Sequence, residues 1–391
     1  MANASSSPIC PEEKKKKQRL QHNPQPLIPG LPEPVAQICL ALVGDPFLLF
    51  SVCHSWRLLL YSPSFPPFLS LYAFLSSSTP TPLLSESIRL PSSSVQTFNF
   101  DPISSTWHSL PPPPPDPPLQ LILRRHPSFL SRNLPIQSIS VAGKLILLAG
   151  STHDLRPALA RPLIFDPISQ NWSFGPNLTT PRRWCALGAS RGFVYMASGI
   201  GTKFSSNVAR SMEMWDFTRH PNNGGEWEKK KDLKHGRFSR DAIDAVGWRG
   251  KLCMVNVKGD VTGREGIVYD VEGDTWRGMP EGMLHGWRGP VGAMAEEVMY
   301  GVDEVTGVLR KYNEEEDTWE EIMESERLKG AEQVVAEGGR VCVVSGGGIF
   351  VVNVTAAPAR IWEVELPAGL EAVAVHVLPR MPVVPYSSLK D

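Results

Sequence analysis

The chain has 391 residues, 42% hydrophobic and 20% charged, with 39 basic against 40 acidic side chains for a formal net charge of −1. That balance describes a globular protein with material for a large core, and it excludes a generally basic binder of nucleic acid or anionic membrane. Prolines and glycines separate along the chain. Residues 1–135 hold 24 of the 37 Pro but only two of the 32 Gly, Gly30 and Gly44, which marks two regions built on different rules.

Residues 1–26 carry Lys14–Lys17 and Arg19 and lack the apolar stretch of a signal peptide. They read as a disordered basic tail, the run being either an import signal or a solvated surface. The six cysteines, Cys10, Cys39, Cys53, Cys185, Cys253 and Cys342, are far apart with no CxxC pair. This pattern is expected of reduced, mostly buried thiols in an intracellular protein, without a metal site. Residues 35–53 are strongly apolar, but Gly44-Asp45-Pro46 interrupts them with a helix-start signal, so they read as short helices and not as a membrane span.

The first helix is expected from Leu31, with Pro32 and Glu33 in its first turn and Val35, Ile38, Cys39 and Leu42 at i, i+3, i+4 and i+7. A second follows Asp45-Pro46 and carries Phe47, Leu48, Phe50 and Val52. A third carries Cys53, Trp56, Leu59 and Leu60 before Ser62-Pro63. Three helices this short cannot bury much apolar surface alone, so the module completes its core against a partner or caps the following domain.

The segments LIPGLPEPVAQICLAL and FSVCHSWRLLLYSPSF resemble an F-box through Leu31, Pro32, Glu33, Val35, Ile38, Leu40, Val52, Cys53, Trp56 and Arg57. Pro34 and His54 stand where the family commonly has an acidic and a basic residue. The resemblance implies docking onto the Skp adaptor of a cullin-based ubiquitin ligase, with Leu31, Pro32, Val35, Ile38, Leu40, Val52, Cys53, Trp56 and Leu59 as the contact set.

From residue 98 onward a unit recurs: a β-like run ending in Asp or Asn, a turn, then a Trp at 107, 172, 227, 276, 319 and 362. Four copies place the Trp six residues after Asp101, Asp166, Asp270 or Asn313, a hairpin of fixed register. Upstream of most copies lies a second hairpin with Gly at its tip, as in ISVAGKLILLAG and AVGWRGKLCMVN. Four short strands per unit, at a period of roughly 40–50, are the pattern of a propeller blade. These units resemble kelch repeats, and the whole resembles plant F-box/kelch-repeat proteins. The fold class expected is mainly β: a six-bladed kelch-type β-propeller preceded by a small three-helix F-box module. Its divisions are a basic tail at 1–26, F-box at 27–66, propeller at 67–378 and tail at 379–391. The first copy has three strands, so the strand 370–378 is expected to complete it and close the ring. The repeat Trp are read as blade packing.

Arginine recurs in the segments joining one blade to the next, beside Phe129, Trp184, Phe238 and Trp287. This places a basic face around the channel mouth, with Arg132, Arg183, Phe238, Arg240, Trp287, Arg288 and Arg327 as candidate target-binding residues, unless these Arg simply pair with neighbouring acids. PPPPPDPP at 111–118 reads as a loop, and Glu314–Glu316 with Asp317 as a solvated turn. No GxxxxGK[ST], HExxH or GxSxG motif is present, and the nine His are scattered, so no catalytic site, metal or cofactor is expected. The function expected is that of a substrate-recognition subunit of a Skp–cullin–F-box ubiquitin ligase. It would be a monomer within a hetero-complex with the adaptor, a cullin and a target protein, in the nucleus or cytoplasm, without nucleic acid or membrane. The alternative is a kelch scaffold that binds a partner without ubiquitination.

Overall fold

A computed structural model of the chain describes residues 26–43, 46–60, 69–77, 95–102, 104–114, 136–150, 159–218, 225–239, 243–256 and 264–381. Three helices come first: α1 (Glu33–Ala41), α2 (Pro46–Val52) and α3 (His54–Leu60). After them, the strands of the described residues form six four-stranded antiparallel sheets, the six blades of a propeller.

Blade 2 comprises Ile136–Val141, Lys144–Gly150, Leu163–Asp166 and Asn171–Phe174; blade 3, Ala186–Ser190, Phe193–Ala197, Met212–Asp216 and Glu228–Lys230. Blade 4 comprises Ile243–Trp248, Lys251–Asn256, Gly266–Asp270 and Thr275–Gly278. Blade 5 comprises Val291–Met294, Val298–Asp303, Val308–Asn313 and Thr318–Glu324; blade 6, Ala331–Glu337, Arg340–Ser345, Gly348–Asn353 and Arg360–Val364. Blade 1 takes Leu69–Ser77, Val95–Asp101 and Thr106–Ser109 from the start of the propeller, and its innermost strand, Leu370–Pro379, from the end. Leu69 stands opposite Pro379 and Ser77 opposite Leu370.

The repeated spacing has a local cause. The acid or amide that ends the third strand caps the turn after it: Asp166 Oδ1 accepts from the Ile168 N–H at 2.9 Å, Asp270 from Gly273 at 3.1 Å and Asn313 from Glu315 at 3.1 Å. The residue just before the Trp strand adopts the left-handed region, with φ of 55° at Ser105, 57° at Gln170, 45° at Asp274 and 49° at Asp317. In these four blades the Trp then stacks on the aromatic seven residues upstream: Phe100 on Trp107, Phe165 on Trp172, Tyr269 on Trp276 and Tyr312 on Trp319, with centroids 5.0–5.3 Å apart.

These Trp also join neighbouring blades. The indole N–H donates to the carbonyl of the segment leaving the preceding blade: Trp172 to Pro111 at 2.8 Å, Trp276 to Lys231 at 2.8 Å, Trp319 to Met283 at 3.1 Å, and Trp107 to Glu365 across the ring closure at 2.7 Å. At the channel, Gln333 clamps the backbone of Val375, its Nε2 donating to the carbonyl at 3.0 Å while Oε1 accepts from the N–H at 2.6 Å. Gln137 clamps Cys185 in the same way. The inner strands enclose a channel of about 520 Å³. Cys185, Cys253 and Cys342 are buried as expected, whereas Cys39 and Cys53 are exposed on the helical module; the basic tail lies outside the described residues.

Candidate functional site

The two faces of the propeller differ by topology. Hairpin tips joining first to second strands, such as Ala142-Gly143 and Arg249-Gly250, lie on the face where the chain enters at Leu69 and leaves at Pro379. The helical module is attached on this face, because Arg380 Nη1 reaches the carbonyl of Leu60 at 3.4 Å. The links from one blade's outer strand to the next blade's inner strand lie on the opposite face, and these carry the recurrent arginines.

In the module, Glu33 favours the helix start through the dipole, and Pro34 sits in the first turn, where no N–H partner is needed. Ala36 and Leu40 are buried, and Leu40 joins Leu49, Leu59 and Leu60 in a small core. Trp56 is half-buried, and its indole N–H donates to the Leu27 carbonyl at 2.6 Å, which pins the chain ahead of α1. Leu40 and Leu59 are therefore corrected from contact residues to core, since α2 and α3 close over them.

The apolar stripe of α1 that carries Val35, Ile38 and Leu42 is open to solvent in the isolated chain, as a surface awaiting a partner would be. Ile38 is 64% and Leu42 82% exposed against 3% for Leu40, and Leu31, Val35, Leu48, Val52 and Leu58 are exposed as well. Pro32 and Cys53 lie on the surface too. Leu48 and Leu58 were not anticipated as contact residues. Their signal is that both are apolar and fall outside the inward helical positions. A concentration of exposed apolar side chains on so small a module points to an interaction site.

On the opposite face, the aromatics expected beside the arginines are corrected. Phe238 and Trp287 are 1% and 2% exposed. Phe238 packs with Met212, Met214 and Leu233, and Trp287 packs with Val246, Cys253 and Met283 and donates to Asp244 Oδ2 at 2.8 Å. Each link crosses the seam between two blades, so its large apolar side chain sinks into the seam. The neighbouring Arg stays outside: Arg288 lies 3.9 Å from Asp303 and Arg327 is exposed. Arg132 and Arg240 lie outside the described residues. Arg183 is half-buried, with its guanidinium stacked on the ring of Trp184 at 4.5 Å. Among the described residues no group of three His, Cys, Asp or Glu is placed to hold a metal, and no helix is long and apolar enough to cross a membrane.

The propeller thus carries an apolar helical module on one face and an arginine-bearing loop set on the other. The chain is 56% identical to the F-box/kelch-repeat protein SKIP25 of Arabidopsis thaliana over 91% of this chain and 90% of that one. It is 26% identical to the Arabidopsis F-box protein AFR over 68% of this chain and 65% of the relative. No family model matches the chain. The chain belongs to the F-box/kelch-repeat proteins. Such propeller proteins are typically adaptors rather than enzymes, and the relatives point to an F-box substrate adaptor.

Proposed function

We propose that this protein is the substrate-recognition subunit of a Skp–cullin–F-box ubiquitin ligase. The exposed face of α1–α3 binds the Skp adaptor and, through it, a cullin; the opposite face of the propeller binds a target protein. The observation that supports this reading is the apolar surface of Val35, Ile38, Leu42 and Val52, left open on a module whose own core is already complete. Catalysis is then proximity: the target's lysines are held near a thioester carried by another enzyme. The complex acts in the nucleus or cytoplasm, with one copy of this chain per assembly.

Co-purification with a Skp adaptor and a cullin tests the reading. Ile38→Glu combined with Val52→Glu places charge on an exposed patch, so the propeller stays folded while adaptor capture is lost, since truncating an interface-centre residue costs about 2 kcal/mol or more. Undiminished capture by the double variant overturns this docking mode. Adaptor capture without any target ubiquitination favours the scaffold alternative.

A further inference from the structure

Arg182 and Arg183 are neighbours on the link entering blade 3, yet they are used in opposite ways. Arg182 is 1% exposed and fully engaged. It pairs with Glu213, donates to Ser211 Oγ at 2.6 Å, and reaches the carbonyls of Ser198 and Thr180 at 3.2 Å each. Arg183 has its backbone pinned, with N–H and C=O both bonded to Ile200 at 2.9 Å. Its guanidinium Nε and Nη1 are shielded from water and have no hydrogen-bond partner. Burial disfavours its charge and holds its pKa below the usual guanidinium value, though an arginine stays charged regardless.

The surroundings hold this group rigidly. Trp184 takes a φ of 54°, a left-handed conformation uncommon for so bulky a residue, and this presents its ring beneath the guanidinium. A Cβ at Gly199 would stand 2.9 Å from the Arg183 carbonyl, so the two segments cross in close contact. The loop beyond carries exposed Lys203 and Phe204. Nη2 is not among the shielded atoms, so this half-buried cation, backed by an aromatic face, can meet a planar or tetrahedral oxyanion at its outer end.

We propose that Arg183 anchors an oxyanion, the carboxylate or phosphate of an acidic segment of the bound target. The proposal rests on the propeller being the target receptor and names the chemistry that receptor reads.

The test is fluorescence anisotropy on the full chain at constant ionic strength, with three short labelled peptides identical except for Glu, phosphoserine or Gln at the central positions. The wild type is expected to bind the Glu or phosphoserine peptide over the Gln peptide. Arg183→Gln weakens that binding about tenfold or more, as loss of a charged hydrogen bond does. Arg183→Lys recovers only part, because a point charge lacks the fork. Preference for phosphoserine assigns the anion as phosphate, preference for Glu assigns it as carboxylate, and equal binding shows a site that accepts either oxyanion. A wild type that does not separate acidic from Gln peptide, or an Arg183→Gln variant that binds like the wild type, overturns the proposal. Adaptor capture is measured on the same preparations: its loss would count against the ligase reading, and peptide binding alone decides the role of Arg183.

Discussion

Arg380 and Asp101 form a buried ion pair that ties three parts of the chain together. Arg380 Nε lies 2.8 Å from Asp101 Oδ1 and Nη2 3.2 Å from Oδ2, and both residues are 5% exposed. Asp101 ends the third strand of blade 1, Arg380 follows the closing strand, and the remaining Nη1 reaches the last residue of α3. The pair therefore couples ring closure to the seating of the helical module. Arg380→Ala leaves a buried carboxylate without its cation, which costs about 3–5 kcal/mol. A fall of that size is expected in urea denaturation. A change under 1 kcal/mol would mean that water takes the place of the guanidinium and that the coupling is weak.

Removal of residues 370–391 takes away the strand paired along the whole of Leu69–Ser77. Val375 and Leu378, both buried, leave the cores that they share with blades 6 and 2. The remaining strand edge of blade 1 becomes a template for another chain. The truncated protein is expected to elute as aggregate in gel filtration and to be cut by protease throughout the propeller. A soluble monomer that melts cooperatively would show that five blades and a partial sixth are sufficient.

Six blades were legible because the signal for each is local. Asp166 or Asn313 caps its own turn, and Trp172 or Trp319 stacks within its own hairpin, so the whole device fits in a short window of sequence. The site was less legible because its geometry is not local. Leu40 and Ile38 are both apolar residues of α1, and only the docking of α2 and α3 decides which is covered. Phe238 looks like a surface aromatic until Met212 of the preceding blade closes over it. Arg182 and Arg183 are indistinguishable in sequence; Glu213, thirty-one positions away, separates them.

The inner ring admits no added volume at blade 4. A Cβ on Gly247 would meet the Ala189 carbonyl oxygen of blade 3 at 1.9 Å and its carbonyl carbon at 2.5 Å. These are backbone atoms of a hydrogen-bonded strand and cannot turn aside. Gly247→Ala is expected to destabilise the fold by at least about 1–3 kcal/mol, the usual cost of overpacking. The melting temperature checks this, and Gly278→Ala, where a Cβ meets nothing within 4 Å, is the control.

Acid is expected to weaken the fold in two windows. His376, on the closing strand, is 3% exposed, with Nε2 2.8 Å from Ser138 Oγ and Nδ1 3.1 Å from Ser140 Oγ. Burial pulls its pKa down to about 4, against about 6.5 in the unfolded chain. The folded state thus binds fewer protons than the unfolded one, and the stability present above pH 6.5 is lost as pH falls towards 4. Asp274 is held low chiefly by the Tyr269 hydroxyl at 2.6 Å and also by the Lys231 N–H. For Asp317, burial raises the pKa, but hydrogen bonds from the Tyr312 hydroxyl and the Gly282 and Met283 amides outweigh it, so it too is lowered. Their contribution is present above the unfolded value near 3.9 and disappears as pH falls through their folded values. Urea midpoints of the wild type are expected to fall between pH 6.5 and 4 and to fall further below it. His376→Gln should flatten the upper window and leave the lower one. Tyr269→Phe with Tyr312→Phe should soften only the lower window. An upper slope unchanged in His376→Gln would place the titrating group elsewhere in the molecule.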